Sequence, residues 1–246
     1  MLRPQDSPRS PWPVRLLSSL VIVTGSALVV QSALSGLHGL PWFWLVTCAL
    51  AEAGWIRLPD GRSTLSMGSI ANFAAVLVLP LGQAMVCAAL ACLVVEAAVM
   101  RKPAQRALYN SAGTAITIAL TSAVLHAMPG AGGISVGGFA MLTAFAVAAA
   151  TYYFCNRALV IGVVALDQWI APAQVWQQDF GLRRDTLPSA AAFSLGVLLA
   201  HEYQALGPLT LVLLVFPAAL VLEAHRRPVQ GRNEQSGTAD STQRAA

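Results

Sequence analysis

The chain has 246 residues, of which 56% are hydrophobic and 11% are charged, with a formal net charge of +4 at pH 7. A soluble domain is about a quarter charged, so this composition excludes an ordinary soluble fold and indicates a chain solvated by lipid or by other apolar helices. The basic residues stand in loops beside apolar stretches, which favours anionic lipid headgroups as counterions and argues against nucleic-acid binding.

The basic residues occur in clusters that alternate with uncharged turns. The uncharged turns lie at 36–39, 80–82 and 129–138. The clusters are Arg3/Arg9/Arg15, Arg57/Arg62, Arg101/Lys102/Arg106, Arg157, Arg183/Arg184 and Arg226/Arg227/Arg232/Arg244. This alternation is typical of a polytopic membrane protein whose Lys and Arg residues stay in the cytoplasm. We therefore predict a multi-pass protein of the bacterial cytoplasmic (inner) membrane with both termini in the cytoplasm.

The first half of the chain predicts four spans, since a crossing needs about 20 apolar residues. Residues 1–13 are predicted to be a cytoplasmic segment, and the apolar run after them is too long for a cleavable signal peptide. Spans are expected at 14–36 and 40–56. The stretch 64–100 is too long for one crossing, and we expect a hairpin that turns at Pro80-Leu81-Gly82.

The second half predicts four more spans and one helix on the membrane surface. The fifth span is expected at 106–127, and the sixth begins at 139 in an apolar run that continues past Arg157 to Ile170. The mixed composition near 172–183 predicts an interfacial helix on the cytoplasmic face. The remaining spans are expected at 186–202 and 207–224, before a disordered tail over 228–246.

These elements together predict an all-α fold, a polytopic transmembrane helical bundle over residues 14–227 with about eight spans. The number falls to seven or six if a short segment is re-entrant. The sequence leaves the oligomeric state open.

Polar residues near the predicted cytoplasmic boundary form the first candidate site. Glu52 and Glu96 each precede a cytoplasmic arginine by five residues, while Ser63, Ser66, Ser69 and Asn72 recur on one helical face. We predict a ligand-binding vestibule open to the cytoplasm and lined by Glu52, Ser66, Ser69, Asn72, Glu96, Tyr109, Asn110 and Asn156. The alternative is structural: these side chains would bond between helices and pair with their own loop arginines.

Histidines at the predicted outer ends of the spans form the second candidate site. His38, His126 and His201 lie there with Glu202, and such a set could bind zinc or copper or sense external pH. The alternative is that they are unrelated interfacial histidines. His201-Glu202 does not begin an HExxH motif, because position 205 is alanine.

The sequence contains no motif of an enzyme. We find no glycine-rich phosphate loop, nucleophile elbow or clustered acid pair, so we expect neither enzymatic activity nor a cofactor. The four cysteines lie in apolar spans without a CxxC pair and are interpreted as small buried hydrophobic residues.

Three segments carry a family resemblance: Arg106-Ala-Leu-Tyr-Asn110, Tyr152-Tyr-Phe-Cys-Asn156, and the Pro-bounded stretch 207–217. Residues 40–226 resemble the multi-span membrane input module found in front of bacterial HD-GYP phosphodiesterase and diguanylate cyclase domains. The resemblance implies that the module senses a signal and passes it to a cytoplasmic enzyme. Only a 19-residue tail follows Arg227, so we expect a separate cytoplasmic effector as partner.

The leading functional interpretation is therefore a stand-alone sensory or ligand-binding membrane module. The alternative is a small-solute transporter, or a membrane-embedded substrate-binding transporter subunit that would need a transport ATPase as partner. The sequence leaves the ligand open.

Overall fold

The fold is all-α in a computed structural model that describes residues 12–35, 41–57, 64–128, 139–181 and 185–210. The chain divides into two compact units, Met1–Ala205 and Leu206–Ala246, and only residues 206–210 of the second are described. Within the described ranges the helices are α1 Trp12–Leu34, α2 Trp42–Ala53, α3 Gly68–Val78, α4 Leu81–Val94, α5 Ala104–Ala127, α6 Phe139–Gln168, α7 Pro172–Asp179 and α8 Leu187–Leu206.

Four helical segments of the described residues are long and apolar enough to cross a membrane. They are Trp12–Leu34, Leu81–Val99, Ala104–Ala127 and Met141–Gln168. By their length and composition they agree with the predicted helical membrane protein. They also agree in position with the predicted first, fourth, fifth and sixth spans.

The predicted second and third spans are shorter in the structure than expected. With 12 and 11 residues, α2 and α3 are each about 18 Å long or less, roughly half of a hydrocarbon core of about 30 Å. Gly54 ends α2 in an extended conformation, and the chain then enters a strand. This strand, β1 (Trp55–Arg57), pairs antiparallel with β2 (Thr64–Ser66), with Ile56 opposite Leu65. Hydropathy alone does not reveal such a stop, because the strand residues Trp55 and Ile56 are as apolar as the helix before them.

The predicted turn within 64–100 is confirmed as a helix break. α3 ends at Val78, and α4 begins at Leu81 after Pro80 with φ −54° and ψ 143°. Proline lacks the backbone N–H that would continue α3 and is suited to the start of the next helix. α4 then continues into a π-helical segment, Val95–Val99, and Arg101, two residues after its end, has φ 54°.

The second half of the described chain follows the predicted order. α6 runs past Arg157 to Gln168, as the long apolar run predicted, and α7 lies within the predicted interfacial segment. α8 covers the predicted seventh span. The predicted eighth span beyond residue 210, the tail, and the N-terminal segment 1–11 lie outside the described residues.

The core lies where α2, α3, α4 and α5 meet. Its largest fully buried side chains include Trp44, Phe73, Met85 and Ile118. α4 contributes mainly small residues, and Ala84 and Ala88 are among its buried ones. Small residues let helix backbones approach closely, which is how membrane helices gain packing energy without a hydrophobic driving force between them.

Candidate functional site

The structure brings two carboxylates and a thiol together beside the π-helical segment. A carboxylate oxygen of Glu52, the Sγ of Cys92 and a carboxylate oxygen of Glu96 all lie within 4.8 Å of one another. Cys92 and Glu96 are buried, and Glu52 is half-buried at the end of α2. We call these three residues, with Lys102 and Asn110, the carboxylate cluster.

Glu96 is the best-bonded member of the carboxylate cluster and is only 3% exposed. The Asn110 Nδ2 donates to both of its carboxylate oxygens at 2.7 Å. Lys102 forms an ion pair with Glu96 Oε1, and its backbone N–H donates to the Glu96 carbonyl at 2.9 Å. The carboxylate of Glu96 is therefore compensated by one charge and one amide, as a buried ion requires.

The π-helical segment explains how Lys102 reaches Glu96. A straight α-helix would place a residue six positions on at about 240° around the axis, far from the Glu96 side chain. Here the Met100 N–H donates to the Val95 carbonyl at 2.8 Å, and Arg101 adopts a left-handed conformation that reverses the chain. Single π-helical turns inside α-helices occur frequently at functional sites.

Glu52 is a second acidic side chain in the carboxylate cluster, which contains one basic residue, Lys102. Among the residues that the structure describes, the ion pairs are Lys102 with Glu96 and Arg157 with Asp185. Glu52 is in neither pair, although it lies beside Glu96. A proton or a bound cation at Glu52 would therefore complete the charge balance.

Three of the residues predicted to line a polar vestibule lie together in the structure. Glu52, Glu96 and Asn110 lie together, on α2, the π-helical segment and α5. Asn72 donates to the Tyr152 hydroxyl at 3.4 Å, which links α3 to α6. Tyr109 donates to the Leu159 carbonyl at 2.8 Å, which links α5 to α6. For these last two residues the contacts match the alternative of bonds between helices.

The other vestibule residues have less defined surroundings. Ser69 and Asn156 are half-buried. Ser66 lies in β2, where the structure describes the backbone pairing with Trp55. For these three residues ligand binding stays a prediction.

The expectation that the inner acids pair with their own loop arginines needs correction for Glu96. Its charged partner is Lys102, while Arg101 is exposed. Cys92 was also missed as a site residue. Its position four residues before Glu96 predicts, for a continuous helix, that both lie on one face, a signal that the sequence already contains.

The predicted outer histidines are not brought into contact among the described residues. His126 bonds within its own helix, with Nδ1 2.7 Å from the Ser122 carbonyl and 3.2 Å from the Ser122 hydroxyl. His201 is half-buried in α8, and His38 lies outside the described residues. A metal site or pH sensor at these histidines stays a prediction.

A second polar network ties α6 to the start of α8. The Arg157 Nε donates to Asp185 Oδ2 at 2.7 Å, and its Nη2 donates to Oδ1 at 2.5 Å. The Tyr153 hydroxyl also donates to Asp185 Oδ2, at 2.8 Å. The Arg157 guanidinium also lies 5.1 Å from the centre of the Phe180 ring, and Phe180 is the C-cap residue of α7. Sequence analysis placed Arg157 at the cytoplasmic boundary but did not identify Asp185 as its partner.

Comparison with known proteins identifies one family model that matches the chain. The family is MASE9, and the match covers residues 42–223. No curated protein and no solved structure matches the chain. The matched residues contain all five members of the carboxylate cluster and the Arg157–Asp185 pair.

Proposed function

We propose that this chain, which belongs to the MASE9 family, is a sensory module of the bacterial cytoplasmic membrane whose switch is the carboxylate cluster. MASE domains are multi-span, membrane-associated sensory modules. The observation that carries the proposal is the close approach of Glu52 and Glu96, of which Glu96 alone is ion-paired among the described residues.

The uncompensated charge supplies the switch. Two carboxylates in apolar surroundings repel each other, and the cost is relieved when one of them takes up a proton or a small cation. Glu52 lies on α2, whereas Glu96 lies on the π-helical segment. Neutralising Glu52 would therefore let α2 and the π-helical segment pack more closely.

The output of the switch would pass through the loop that carries Lys102. This residue is bonded to Glu96 through both its side chain and its backbone N–H, and Pro103 then begins α5. A movement of Glu96 would shift the loop on the predicted cytoplasmic side. A separate cytoplasmic effector is the proposed partner that binds this surface.

The switch predicts a titrating carboxyl group in the bundle. A pH step applied to the protein in lipid nanodiscs should change the protonated-carboxyl band in its infrared difference spectrum, and Glu52→Gln should remove most of that change. Glu202→Gln is the matched control, because Glu202 is also half-buried but lies on α8 outside the cluster. Equal spectra for wild type and Glu52→Gln would refute the proposed switch.

Flux measurements distinguish the sensor from the transporter alternative. Proteoliposomes loaded with a pH-sensitive dye should show no Glu52-dependent proton flux if the module is a sensor. A proton flux in the wild type that Glu52→Gln abolishes would contradict the sensor and favour the transporter.

The proposed orientation has its own test by labelling in intact cells. A membrane-impermeant maleimide should react with Ser135→Cys, in the predicted outer loop, and should not react with Ser236→Cys, in the predicted cytoplasmic tail. The unsubstituted chain is the blank, because three of its four cysteines are buried and Cys155 is half-buried. Labelling of Ser236→Cys from outside would overturn the eight-span orientation.

A further inference from the structure

A cleft of about 530 Å³ lies between α6 and α8, within the compact unit Met1–Ala205 and apart from the carboxylate cluster. Pockets of about 300–1,000 Å³ suit small organic ligands. Five aromatic rings line the cleft, those of Phe73, Phe145, Tyr153, Phe154 and Phe193. Its lining is therefore suited to a flat, apolar group rather than to a hydrated one.

α8 approaches α3 closely at Gly196, beside the cleft. A Cβ added to Gly196 would lie 3.0 Å from the Ile70 carbonyl oxygen and 3.3 Å from Phe73 Cδ1. Phe73 and Phe193 then form the floor, with ring centroids 5.1 Å apart at 61°. Leu142 and Phe154 line the cleft although they are 66% and 62% exposed, so its open side has an apolar edge.

One hydroxyl group on the cleft wall is able to donate a hydrogen bond to a ligand. Ser189 is only 7% exposed, lines the cleft and forms no hydrogen bond with any residue that the structure describes. Its neighbour Ser194, also in the lining, donates to the Ala190 carbonyl at 3.0 Å. Because Ser189 lines the cleft, its hydroxyl is positioned to donate to a molecule bound there.

The polar end of the cleft carries no net charge. Tyr153 and Thr186 line it, and Tyr153 donates its single proton to Asp185. The Thr186 hydroxyl, 2.9 Å from the Tyr153 oxygen, must then be the donor between the two. The charge of Asp185 is balanced by Arg157. Among the residues that the structure describes, none offers an unpaired counterion there to an anionic or a cationic head group.

We propose that this cleft binds a neutral, membrane-dissolved amphiphile of the quinone class. A ring carbonyl oxygen accepts the hydrogen bond of Ser189, the flat ring packs among the aromatic side chains, and the apolar tail leaves past Leu142 and Phe154 into the bilayer. A phospholipid ester would also offer a carbonyl, but its flexible chains gain little from aromatic rings compared with a planar ring. The proposal does not depend on the carboxylate cluster.

The test uses the full chain in nanodiscs of synthetic, quinone-free lipid, titrated with a benzoquinone that carries a ten-carbon tail. Quinones quench tryptophan fluorescence, and the Trp176 ring lies 6.0 Å from that of Tyr153. We expect saturable quenching in the wild type. Ser189→Ala should weaken binding by about three- to tenfold, the value of one neutral hydrogen bond, while Ser194→Ala should change it less than about twofold.

A second pair of variants tests the location. Ala150→Phe adds a ring at the cleft wall and should abolish saturable quenching, whereas Ala158→Phe, on an exposed part of α6 outside the lining, should preserve it. Circular dichroism verifies that each variant is folded. Quenching that rises linearly in the wild type, equal affinities for Ser189→Ala and Ser194→Ala, or a phospholipid retained in the cleft by native mass spectrometry would overturn the proposal.

Discussion

Replacing Lys102 with Met should lower the free energy of unfolding by about 3–5 kcal/mol, the range seen when one partner of a buried ion pair is removed. Glu96 is 3% exposed, and Lys102 is its cationic partner. Without Lys102, the folded chain must keep an uncompensated carboxylate or take up a proton. Denaturant titration in mixed detergent micelles measures the change.

A second variant tests whether the buried charge of Glu96 causes the loss. The double variant Lys102→Met/Glu96→Gln should recover about half of the loss or more, because the buried charge is gone. Arg101→Met is the matched control and should cost less than about 0.5 kcal/mol, since Arg101 is exposed. A loss that is equal for Lys102→Met and Arg101→Met would contradict the role of Lys102.

The carboxylate cluster was predictable only in part from the expected depth of its residues in the membrane. Distance from the arginines predicted to be cytoplasmic placed Glu52, Glu96, Asn110 and Asn156 at one level, and the structure brings the first three together. The same argument could not identify Lys102 as the partner, because its approach depends on a π-helical turn and a left-handed residue. Such backbone features follow from tertiary packing rather than from local propensity.

Helix positions were predictable from the lengths of the apolar runs and from the positions of helix-breaking residues. Pro80 marked the break between α3 and α4, and the continuous run past Arg157 marked the length of α6. The early end of α2 was not predictable, because the following Trp55 and Ile56 suit a strand and a membrane helix equally. Only the pairing of β1 with β2 decides in favour of a strand over a membrane helix.

Gly25→Ala should lower the free energy of unfolding by about 1–3 kcal/mol, the usual cost of overpacking a tight helix contact. An added Cβ would overlap the Ala112 carbonyl oxygen and would lie 2.6 Å from the Ala112 Cα. Both atoms belong to the backbone of α5, so α1 must move to avoid them. Gly25 lies seven residues after Ser18 on the same buried face of α1, which makes this face its contact with the bundle.

Gly162→Ala is the control for Gly25→Ala, because its added Cβ would be 3.5 Å from the flexible end of Leu17. It should change the free energy of unfolding by less than about 0.5 kcal/mol in the same titration. Comparing the two variants tests how α1 is joined to the bundle. α1 precedes the residues that match the family, yet it packs against α5, which lies among those residues. Equal stabilities for the two variants would mean that α1 is not held on α5 by this contact. A selective loss in Gly25→Ala would make α1 an integral part of the helical bundle, joined to the helix that carries Asn110.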